Sequence, residues 1–352
     1  MEFSDPAARA RRDPSGMLEL IRRLPRMCEE AWALPLRGAL SGGAPRQIVV
    51  CGMGGSGIGG DLLRAVLADR LPVPVVPVKD YRSPAFVGPD TLVFACSYSG
   101  NTEETLAAYE GAAAAGARCV AVTSGGELAR RALARGHATV LVPPGLPPRA
   151  ALPYLFLPML AVLGRAGLVG SFDDQVREAV AVVERRLRRL EPEGADPSAR
   201  ALAERLVGRI PVVYSATPFL EPAAQRWKDQ FNENAKTFAV WNTFPELNHN
   251  ETVGWGMDAA LAGVLHVIIL HDPQAAPRLA QRVAITRELA FRRAAGLDEI
   301  TAEGDGALAR LLSVIAVGDL VSWYLAVLRD VDPTPVRVID ELKRRLAETG
   351  AG

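Results

Sequence analysis

The stretch Thr91-LVFACSYSGNTEE-Thr105 is an apolar run that turns abruptly into a hydroxyl-rich loop. Ser97, Ser99 and Thr102 surround a single glycine, Gly100, and an alanine-rich tract of helical composition follows. The pattern predicts a buried strand, a tight turn and the first turn of a helix. Because short hydroxyls and the free N–H groups of a helix N-terminus converge there, we expect the loop to bind an anion of phosphate size without a lysine.

The same alternation of strand-like and helix-like segments continues in both directions along the chain. It favours an α/β fold with parallel sheets and a binding rim at the carboxyl ends of the strands. The predicted strands are the start of 47–61, then 73–78, 91–96, 119–122, 139–142, 210–215, 237–238 and 264–270. The predicted helices are 17–34 with a break at Pro25, a helix starting at Asp61, then 106–115, 127–134, 152–169, 172–190, 221–235, 274–295, 308–329 and 335–347.

A break rich in proline and glycine at 191–197 divides this pattern into two halves of similar design. We therefore expect an N-terminal arm and helix over residues 1–40, a first α/β subdomain over 41–190, and a second with C-terminal helices over 191–352.

Composition indicates a globular protein with no bias toward charged partners. The 352 residues carry 40 basic and 40 acidic side chains, so no overall field attracts nucleic acid or an anionic membrane. The four cysteines are scattered, which is typical of a reducing compartment. The N-terminus lacks the hydrophobic segment of a signal peptide, and no apolar stretch of membrane-spanning length is free of Gly, Pro or charge. We expect a cytoplasmic protein.

The glycine-dense segment 52–60 admits more than one interpretation. It contains G-x-G-x-x-G spacings, which occur in dinucleotide-binding folds. Such folds also carry an acidic residue about 20 positions later, at the end of the second strand, whereas Asp80 comes too late and follows Lys79. A tight turn explains some of the glycines, and helix capping explains one of the hydroxyls in 97–102, but neither explains both clusters.

A second concentration of polar groups lies in residues 231–255, where acids and amides alternate with aromatic residues. Glu233 lies near the end of a predicted amphipathic helix, and His249 lies between two asparagines. Separately, each has an ordinary explanation, a solvated helix face or a hydrogen-bonded loop histidine. Together with the surrounding aromatic residues they favour a partly buried polar site. Isolated histidines and scattered cysteines do not predict a zinc site.

The two loops resemble those of the sugar isomerase (SIS) domain, an α/β module that binds phosphosugars. The likeness rests on the GGSG loop, on S-x-S-G-N-T-x-E-T at 97–105, on Thr-Ser-Gly-Gly at 123–126 and on the segment 147–154. It implies that five residues surround the substrate phosphate: Gly55, Ser56, Ser97, Ser99 and Thr102.

The segment 233–251 resembles the bifunctional phosphoglucose/phosphomannose isomerases, whose pattern is roughly E-N-x-K followed by P-E-x-x-H-N-E. The C-terminal Asp332-Pro-Thr-Pro-Val336 also matches that family, and the likeness covers nearly the whole chain. It implies two tandem SIS subdomains, each a parallel sheet flanked by helices in a flavodoxin-like three-layer sandwich. Two departures are Glu127, where a lysine often follows T-S-G-G, and the Leu-Pro-Pro run at 146–148 before Arg149.

The resemblance implies an aldose–ketose isomerase that acts on hexose 6-phosphates through a cis-enediol, with no cofactor and no metal. Glu233 would transfer the proton, and Arg149 would face the developing oxyanion. His249, contributed by the partner subunit of a homodimer, would open the sugar ring with help from Lys343. Thr334 would leave room for the open chain to rotate, so that one base serves both epimers.

Three other functions are compatible with parts of the pattern. A non-catalytic phosphosugar regulator would need the anion site but no base. A different SIS enzyme, such as an amidotransferase-type enzyme or an amino-sugar isomerase, is the second, and the amidotransferase type would need a glutaminase domain with an N-terminal cysteine, which this sequence does not show. An NAD-dependent oxidoreductase would use the glycine-rich loop for nucleotide.

Overall fold

The fold consists of two parallel sheets with helices on both faces of each. It is taken from a computed structural model that describes residue 3, residues 5–40 and residues 42–349. The strands are β1 Gln47–Cys51, β2 Val75–Val78, β3 Thr91–Cys96, β4 Arg118–Thr123, β5 Ala138–Leu141, β6 Ile210–Ser215, β7 Val240–Thr243, β8 Leu265–His271 and β9 Gly296–Thr301.

The helices alternate with these strands and close both ends of the chain. They are α1 Pro6–Arg12, α2 Met17–Arg22, α3 Leu24–Trp32, α4 Gly54–Leu67, α5 Glu103–Ala114, α6 Gly126–Ala134, α7 Leu152–Arg165, α8 Asp173–Leu190, α9 Ser198–Leu206, α10 Glu221–Glu233, α11 Glu251–Gly254, α12 Ala259–Ala262, α13 Pro277–Leu289, α14 Ala307–Leu328 and α15 Arg337–Thr349. Short 3₁₀ helices cover Pro148–Ala150, Pro218–Leu220, Glu246–His249 and Phe291–Arg293.

The first sheet has the strand order β2-β1-β3-β4-β5, and the second has the order β7-β6-β8-β9. Within the two sheets, all neighbouring strands are parallel. The first order is the doubly wound, flavodoxin-like one, in which the order of the parallel strands reverses between β1 and β3. The second sheet repeats this order without a fifth strand. The predicted fold class is therefore confirmed.

The central strands are buried on both faces, as is typical of parallel sheets between helices. In β3, Leu92 and Phe94 pack into the core that contains α4 and α7, whereas Val93 and Ala95 pack against α5 and α6. This alternation defines the three layers of the first half.

The largest core joins the two halves through α14. This helix of 22 residues is mostly apolar and long enough to cross a membrane, but 94% of its most apolar stretch is buried inside the protein. It packs against α8, α9 and α10. Helices α2 and α3 contribute to the same core, where Trp323 of α14 donates a hydrogen bond to Asp13, 2.9 Å away.

Several expected elements were wrong in extent or kind, and three of them are informative. Helix α4 begins at Gly54, not Asp61. Glycine is a poor helix former, but here it permits close packing, because a Cβ on Gly59 would lie 2.7 Å from the carbonyl oxygen of Leu155. The short strand expected at 237–238 is absent from the described chain, in which Lys236 adopts a left-handed turn and the strand begins at Val240.

The third error concerns the helix expected over 274–295. Helix α13 ends at Leu289, and the unpredicted strand β9 follows. β9 lies at the edge of the second sheet, and its residues are only partly buried or exposed. Its Leu-Asp-Glu-Ile sequence places two acids together, which hides the alternation typical of a strand.

The hydroxyl loop after β3 depends on glycine at position 100. Gly100 has φ +72°, and a Cβ there would overlap the carbonyl oxygen of Gly125. Gly208 has the same φ of +72° but has nothing within 4 Å of the corresponding Cβ.

We expect Gly208→Ala to lower the free energy of unfolding by about 1–2 kcal/mol through backbone strain alone.

Gly100→Ala should lower the free energy of unfolding by a further ~1–3 kcal/mol, because the hydroxyl loop and the loop that carries Gly125 must move apart. Denaturant unfolding of both variants measures the difference. Equal losses would show that the contact between the loops does not constrain the backbone.

Candidate active site

The hydroxyl loop and the glycine-rich loop lie side by side at the carboxyl ends of adjacent strands. β1 pairs with β3, so the loop before α4 and the loop before α5 meet where the strand order reverses. Ligands of open α/β sheets bind at this crevice. Within the described chain, no side chain caps the N-terminus of α4 or α5, so backbone N–H groups of both helices remain available to an anion.

Most of the hydroxyls hold the loop in shape. Ser97 is fully buried, and its Oγ lies 2.9 Å from Thr102 Oγ1 and accepts a hydrogen bond from Gly100 N at 3.1 Å. Ser56 Oγ accepts from Tyr98 N at 3.2 Å, which joins the two loops. Ser99 is exposed and Thr102 is partly exposed, so these two are the most accessible to a ligand.

The glycine-rich loop also contacts the segment that carries Arg149. A Cβ on Gly55 would lie 2.9 Å from the carbonyl oxygen of Pro148. Arg149 lies in the 3₁₀ helix Pro148–Ala150, directly before α7, and is 4% exposed. The anion site and this buried cation are therefore neighbours.

The guanidinium of Arg149 binds groups from the second half of the chain. Nε donates to Asn234 Oδ1 at 2.7 Å, and Nη2 donates to the carbonyl oxygens of Pro333 and Thr334, both at 2.8 Å. Nη1 lies 3.4 Å from Glu233 Oε2. Burial lowers the pKa of Arg149, and the charge of Glu233 opposes that shift. Only Nη1 is directed toward the carboxylate.

Glu233 is the last residue of α10 and lines a cavity of about 730 Å³. Apolar side chains such as Val336 and Ile339 form much of the cavity wall. Burial raises the pKa of Glu233 above its ordinary value, whereas the charge of Arg149 lowers it. A carboxyl group whose pKa is raised in this way is suited to accept and return a proton near neutral pH.

Lys236 and Asn234 also belong to this site, although the sequence pattern assigned them no role. The ammonium of Lys236 donates to the carbonyl oxygens of Glu233 at 2.6 Å and Pro333 at 3.0 Å. Burial lowers its pKa to about 8, and the charge of Arg149 adds to this effect. Both residues fall in the E-N-x-K pattern, which was the available signal. Two cations thus bind the loop 332–335 beside Glu233.

Thr334 contributes its carbonyl oxygen to Arg149, and its buried hydroxyl has no hydrogen-bond partner among the described residues. His249 is exposed at the end of the 3₁₀ helix Glu246–His249, and Lys343 is exposed on α15. No hydrogen bond or ion pair within the described ranges joins either one to Glu233 or Arg149.

The segment that carries His249 is held firmly in place. The carboxylate of Glu251 accepts hydrogen bonds from the Tyr214 hydroxyl and from the amide of Asn242. Trp255 Nε1 donates to the Tyr214 hydroxyl at 3.1 Å. The histidine is therefore presented to the surface by a packed base of aromatic and polar groups.

Comparison with known proteins places both halves in sugar isomerase families. Residues 44–155 match the SIS domain, and residues 195–346 match the bacterial phospho-glucose isomerase C-terminal SIS domain. The bifunctional phosphoglucose/phosphomannose isomerase of Caldicellulosiruptor bescii is 41% identical over 338 residues, which cover 94% of this chain and 99% of the relative.

The chain belongs to the bifunctional phosphoglucose/phosphomannose isomerase family. A member from Aquifex aeolicus is 38% identical and matches over 86% of this chain and 90% of its own length. The resemblance inferred from the motifs is thereby confirmed. A more distant relative, the D-glucosamine-6-phosphate 4-epimerase of Sulfolobus acidocaldarius, is 35% identical and covers 58% of this chain and 62% of its own length.

Solved structures support the fold independently. A glucose-6-phosphate isomerase like protein from Thermus thermophilus superposes with a TM-score of 0.64 at 21% identity, covering 96% of this chain and 99% of that one. The C-terminal domain of glucosamine-fructose-6-phosphate aminotransferase from Francisella tularensis gives 0.68 at 15% identity, covering 91% and 98%. At these identities the likeness establishes the fold alone.

The pKa of Glu233 provides a test of this site. The positive charge of Lys236 lowers that pKa, so Lys236→Met should raise it further. Lys236→Arg keeps the charge and should leave the pKa close to that of the unaltered protein. Carbon-13 NMR titration of the glutamate carboxyl groups, with Glu233 assigned from Glu233→Gln, measures both variants. Identical titration of Glu233 in the Met and Arg variants would contradict the electrostatic coupling.

Proposed function

We propose that the protein is an aldose–ketose isomerase that interconverts glucose 6-phosphate and/or mannose 6-phosphate with fructose 6-phosphate. The observation that carries this proposal is the ion pair formed by Glu233 Oε2 and Arg149 Nη1, 3.4 Å apart, near the crevice between the glycine-rich and hydroxyl loops. One group can move a proton and the other can face the negative charge that results. The substrate class agrees with the names of the relatives described above.

We assign the substrate phosphate to the crevice between β1 and β3. Gly55, Ser56, Ser97, Ser99 and Thr102 form this crevice with the free N–H groups of α4 and α5. Ser99 and Thr102 would contact the phosphate directly, while the buried Ser97 keeps the loop in shape. Phosphate bound here would bring the sugar carbons toward Arg149, since Gly55 packs against Pro148.

Glu233 takes the proton from C2 of the open aldose. The electrons of that C–H bond form a C1–C2 double bond, and the former carbonyl electrons move to O1, which gives a cis-enediolate. The charge of Arg149 faces this oxyanion, and such preorganised charge lowers the barrier. The proton of the C2 hydroxyl then moves to O1, which becomes the C1 hydroxyl, and Glu233 returns its proton to C1 as the C2 oxygen becomes the ketone. These groups complete the cycle without a metal or cofactor.

We further propose that the active form is a homodimer in which His249 of one copy completes the site of the other and opens the sugar ring with Lys343. In support, His249 is exposed, and the neighbouring Glu251 is hydrogen-bonded to Tyr214. Helix α15 also exposes its apolar residues, including Val338 at 84% and Leu342 at 57%. Such a face is stabilised when a second surface covers it.

Three smaller assignments accompany this proposal. Thr334 would give the open chain room to rotate about C2–C3, in keeping with its position beside the guanidinium. The subdomains would divide at residues 40 and 190. The four free, buried cysteines are compatible with a cytoplasmic protein.

A non-catalytic phosphosugar regulator is the competing function. It would need the anion crevice, but it would not need a carboxyl group with a raised pKa opposite a buried guanidinium. A coupled assay with glucose 6-phosphate, mannose 6-phosphate and glucosamine 6-phosphate, in the presence of EDTA, separates the possibilities. Turnover of either hexose 6-phosphate supports the isomerase. Activity lost to the chelator would contradict the metal-free mechanism.

Glu233→Gln should abolish turnover of both hexose 6-phosphates because the amide cannot accept the C2 proton. Binding of fructose 6-phosphate, measured by calorimetry, should be largely retained because the phosphate is held elsewhere. Glu204→Gln, which alters an exposed carboxylate of α9 paired only with Arg200, is the matched control and should leave both quantities unchanged. Full activity in the Glu233 variant would remove the proton-transfer assignment.

Sharing of His249 can be tested by mixing two inactive variants. Glu233→Gln and His249→Asn subunits, unfolded together and refolded, should regain about a quarter of the wild-type activity, since half of the dimers are hybrids with one intact site each. Each variant refolded alone is the control and should remain inactive. If mixing restores nothing although hybrid dimers form, His249 acts within its own subunit.

A further inference from the structure

A buried ion pair that the proposed chemistry does not use lies beneath the site. Arg226 of α10 donates to Asp319 of α14 through two hydrogen bonds, Nε to Oδ1 at 3.1 Å and Nη2 to Oδ2 at 2.7 Å. Their side chains are only 4% and 6% exposed. Gln230, one turn along α10, donates to Asp319 Oδ1 at 2.9 Å. The carboxylate therefore receives three donors in the core.

Stability alone does not explain this pair. Burying two charges costs several kcal/mol of lost hydration, and well-packed apolar residues of similar volume commonly stabilise a helix contact as well or better. Asp319 is moreover the only acidic residue of the predominantly apolar helix α14. The remaining hydrogen bonds of the pair indicate what it does.

Those hydrogen bonds reach both ends of Arg149. Arg226 Nη2 donates to the backbone carbonyl oxygen of Arg149 at 2.9 Å. At the other end, Arg149 Nε donates to Asn234 Oδ1, and Asn234 Nδ2 donates to Ser322 Oγ at 2.9 Å. Ser322 Oγ donates in turn to the backbone oxygen of Asp319 at 2.7 Å. A closed ring of buried polar groups thus fixes this arginine.

The same ring fixes the carboxylate opposite. Arg226, Gln230 and Asn234 are spaced four residues apart, so they lie on one face of α10, and Glu233 directly precedes Asn234. Rotation of α10 would break the contacts to Asp319 and move Glu233 at the same time. The distance between Arg149 and Glu233 therefore depends on how α10 is docked on α14.

We propose that Arg226 and Asp319 are positioning residues of the isomerisation site. They hold the backbone of Arg149 and the orientation of α10, and so keep Nη1 of Arg149 3.4 Å from Glu233 Oε2, with both groups placed to act on the same substrate. This inference rests on the proposed isomerase function and adds a constraint to it. The substrate phosphate lies in the other half of the site, so the pair acts on the chemical step and not on phosphate binding.

The test is Asp319→Asn, which keeps the shape of the side chain and removes its charge. We expect kcat for both hexose 6-phosphates to fall roughly tenfold to a hundredfold, the loss typical of a reacting group displaced by about 1 Å. KM should change by less than about threefold, since phosphate binding is intact. Equal losses of affinity and turnover, or unchanged kcat, would overturn the proposal.

A second buried pair provides the matched control. Arg310 of α14 lies 2.9 Å from Asp272, and their side chains are 9% and 6% exposed. Asp272→Asn should lower the melting temperature to a similar extent, because it also leaves a buried guanidinium without its carboxylate. It does not touch Arg149, so kcat should stay within about twofold. A fall in kcat as large as that of Asp319→Asn would indicate a general structural effect.

A double-mutant cycle with Arg149→Lys tests the route of the effect. If Asp319 acts through Arg149, Asp319→Asn should cause little further loss in the Arg149→Lys background. The same fold reduction of kcat in both backgrounds would contradict the proposal.

Should Asp319→Asn fail to fold, Arg226→Lys replaces it. That variant keeps the charge opposite Asp319 but lacks the geometry to bind Asp319 and the Arg149 carbonyl together, so it should show the same selective loss of kcat.

The outcome is separable from that of the proposed function. An unaltered protein without turnover of any hexose 6-phosphate contradicts the isomerase itself. An active protein whose Asp319→Asn variant retains kcat contradicts only the positioning role.

Discussion

The guanidinium of Arg149 is a buried cation that binds two distant parts of the chain. Along the chain, Arg149 follows the last strand of the first sheet and precedes the first strand of the second. Its guanidinium binds Asn234 at the end of α10 and the carbonyl oxygens of Pro333 and Thr334. A buried charge is tolerated only when nearly all its donors are satisfied. The requirement to satisfy this one group therefore orders the loop 332–335 and the end of α10 together. Without it, the carboxylate of Glu233 would have no fixed neighbour.

The two halves of the chain use the same topology for different purposes. In the first sheet, the reversal of strand order between β1 and β3 brings together two helix N-termini without side-chain caps, which is the proposed phosphate site. In the second, the helix that follows β6 carries a carboxylate at its C-terminal end, where the helix dipole adds no stabilisation to a negative charge. That position, together with the apolar cavity wall, favours the raised pKa of Glu233. The groups proposed for phosphate recognition and for proton transfer thus lie at opposite ends of helices.

Local sequence predicted much of the fold because the buried strands are continuous apolar runs. β3 has the bounds expected from its sequence, and the loop after it was located by its glycine and hydroxyls. The edge strand β9 and the glycine-rich start of α4 escaped prediction because tertiary contacts, not local propensity, decide them. Family motifs indicated Arg149 and Glu233, and the structure brings these two together. Arg226 escaped notice because a charged residue on a helix usually faces solvent.

Asp319 shows that a single acidic residue in an apolar helix is a signal from which a buried ion pair can be predicted. A lone carboxylate in a mostly apolar helix must find a partner in the core, since leaving it unpaired costs far more than any packing gain. Its partner is Arg226, and the pair in turn supports Arg149. Arg226 binds Asp319 and the backbone carbonyl oxygen of Arg149, and the guanidinium of Arg149 lies 3.4 Å from the carboxylate of Glu233. This series of contacts ends at Glu233, whose carboxylate is partly exposed at the cavity. The hydrogen bonds that Asp319, Arg226 and Arg149 need in the core therefore also fix the position of Glu233.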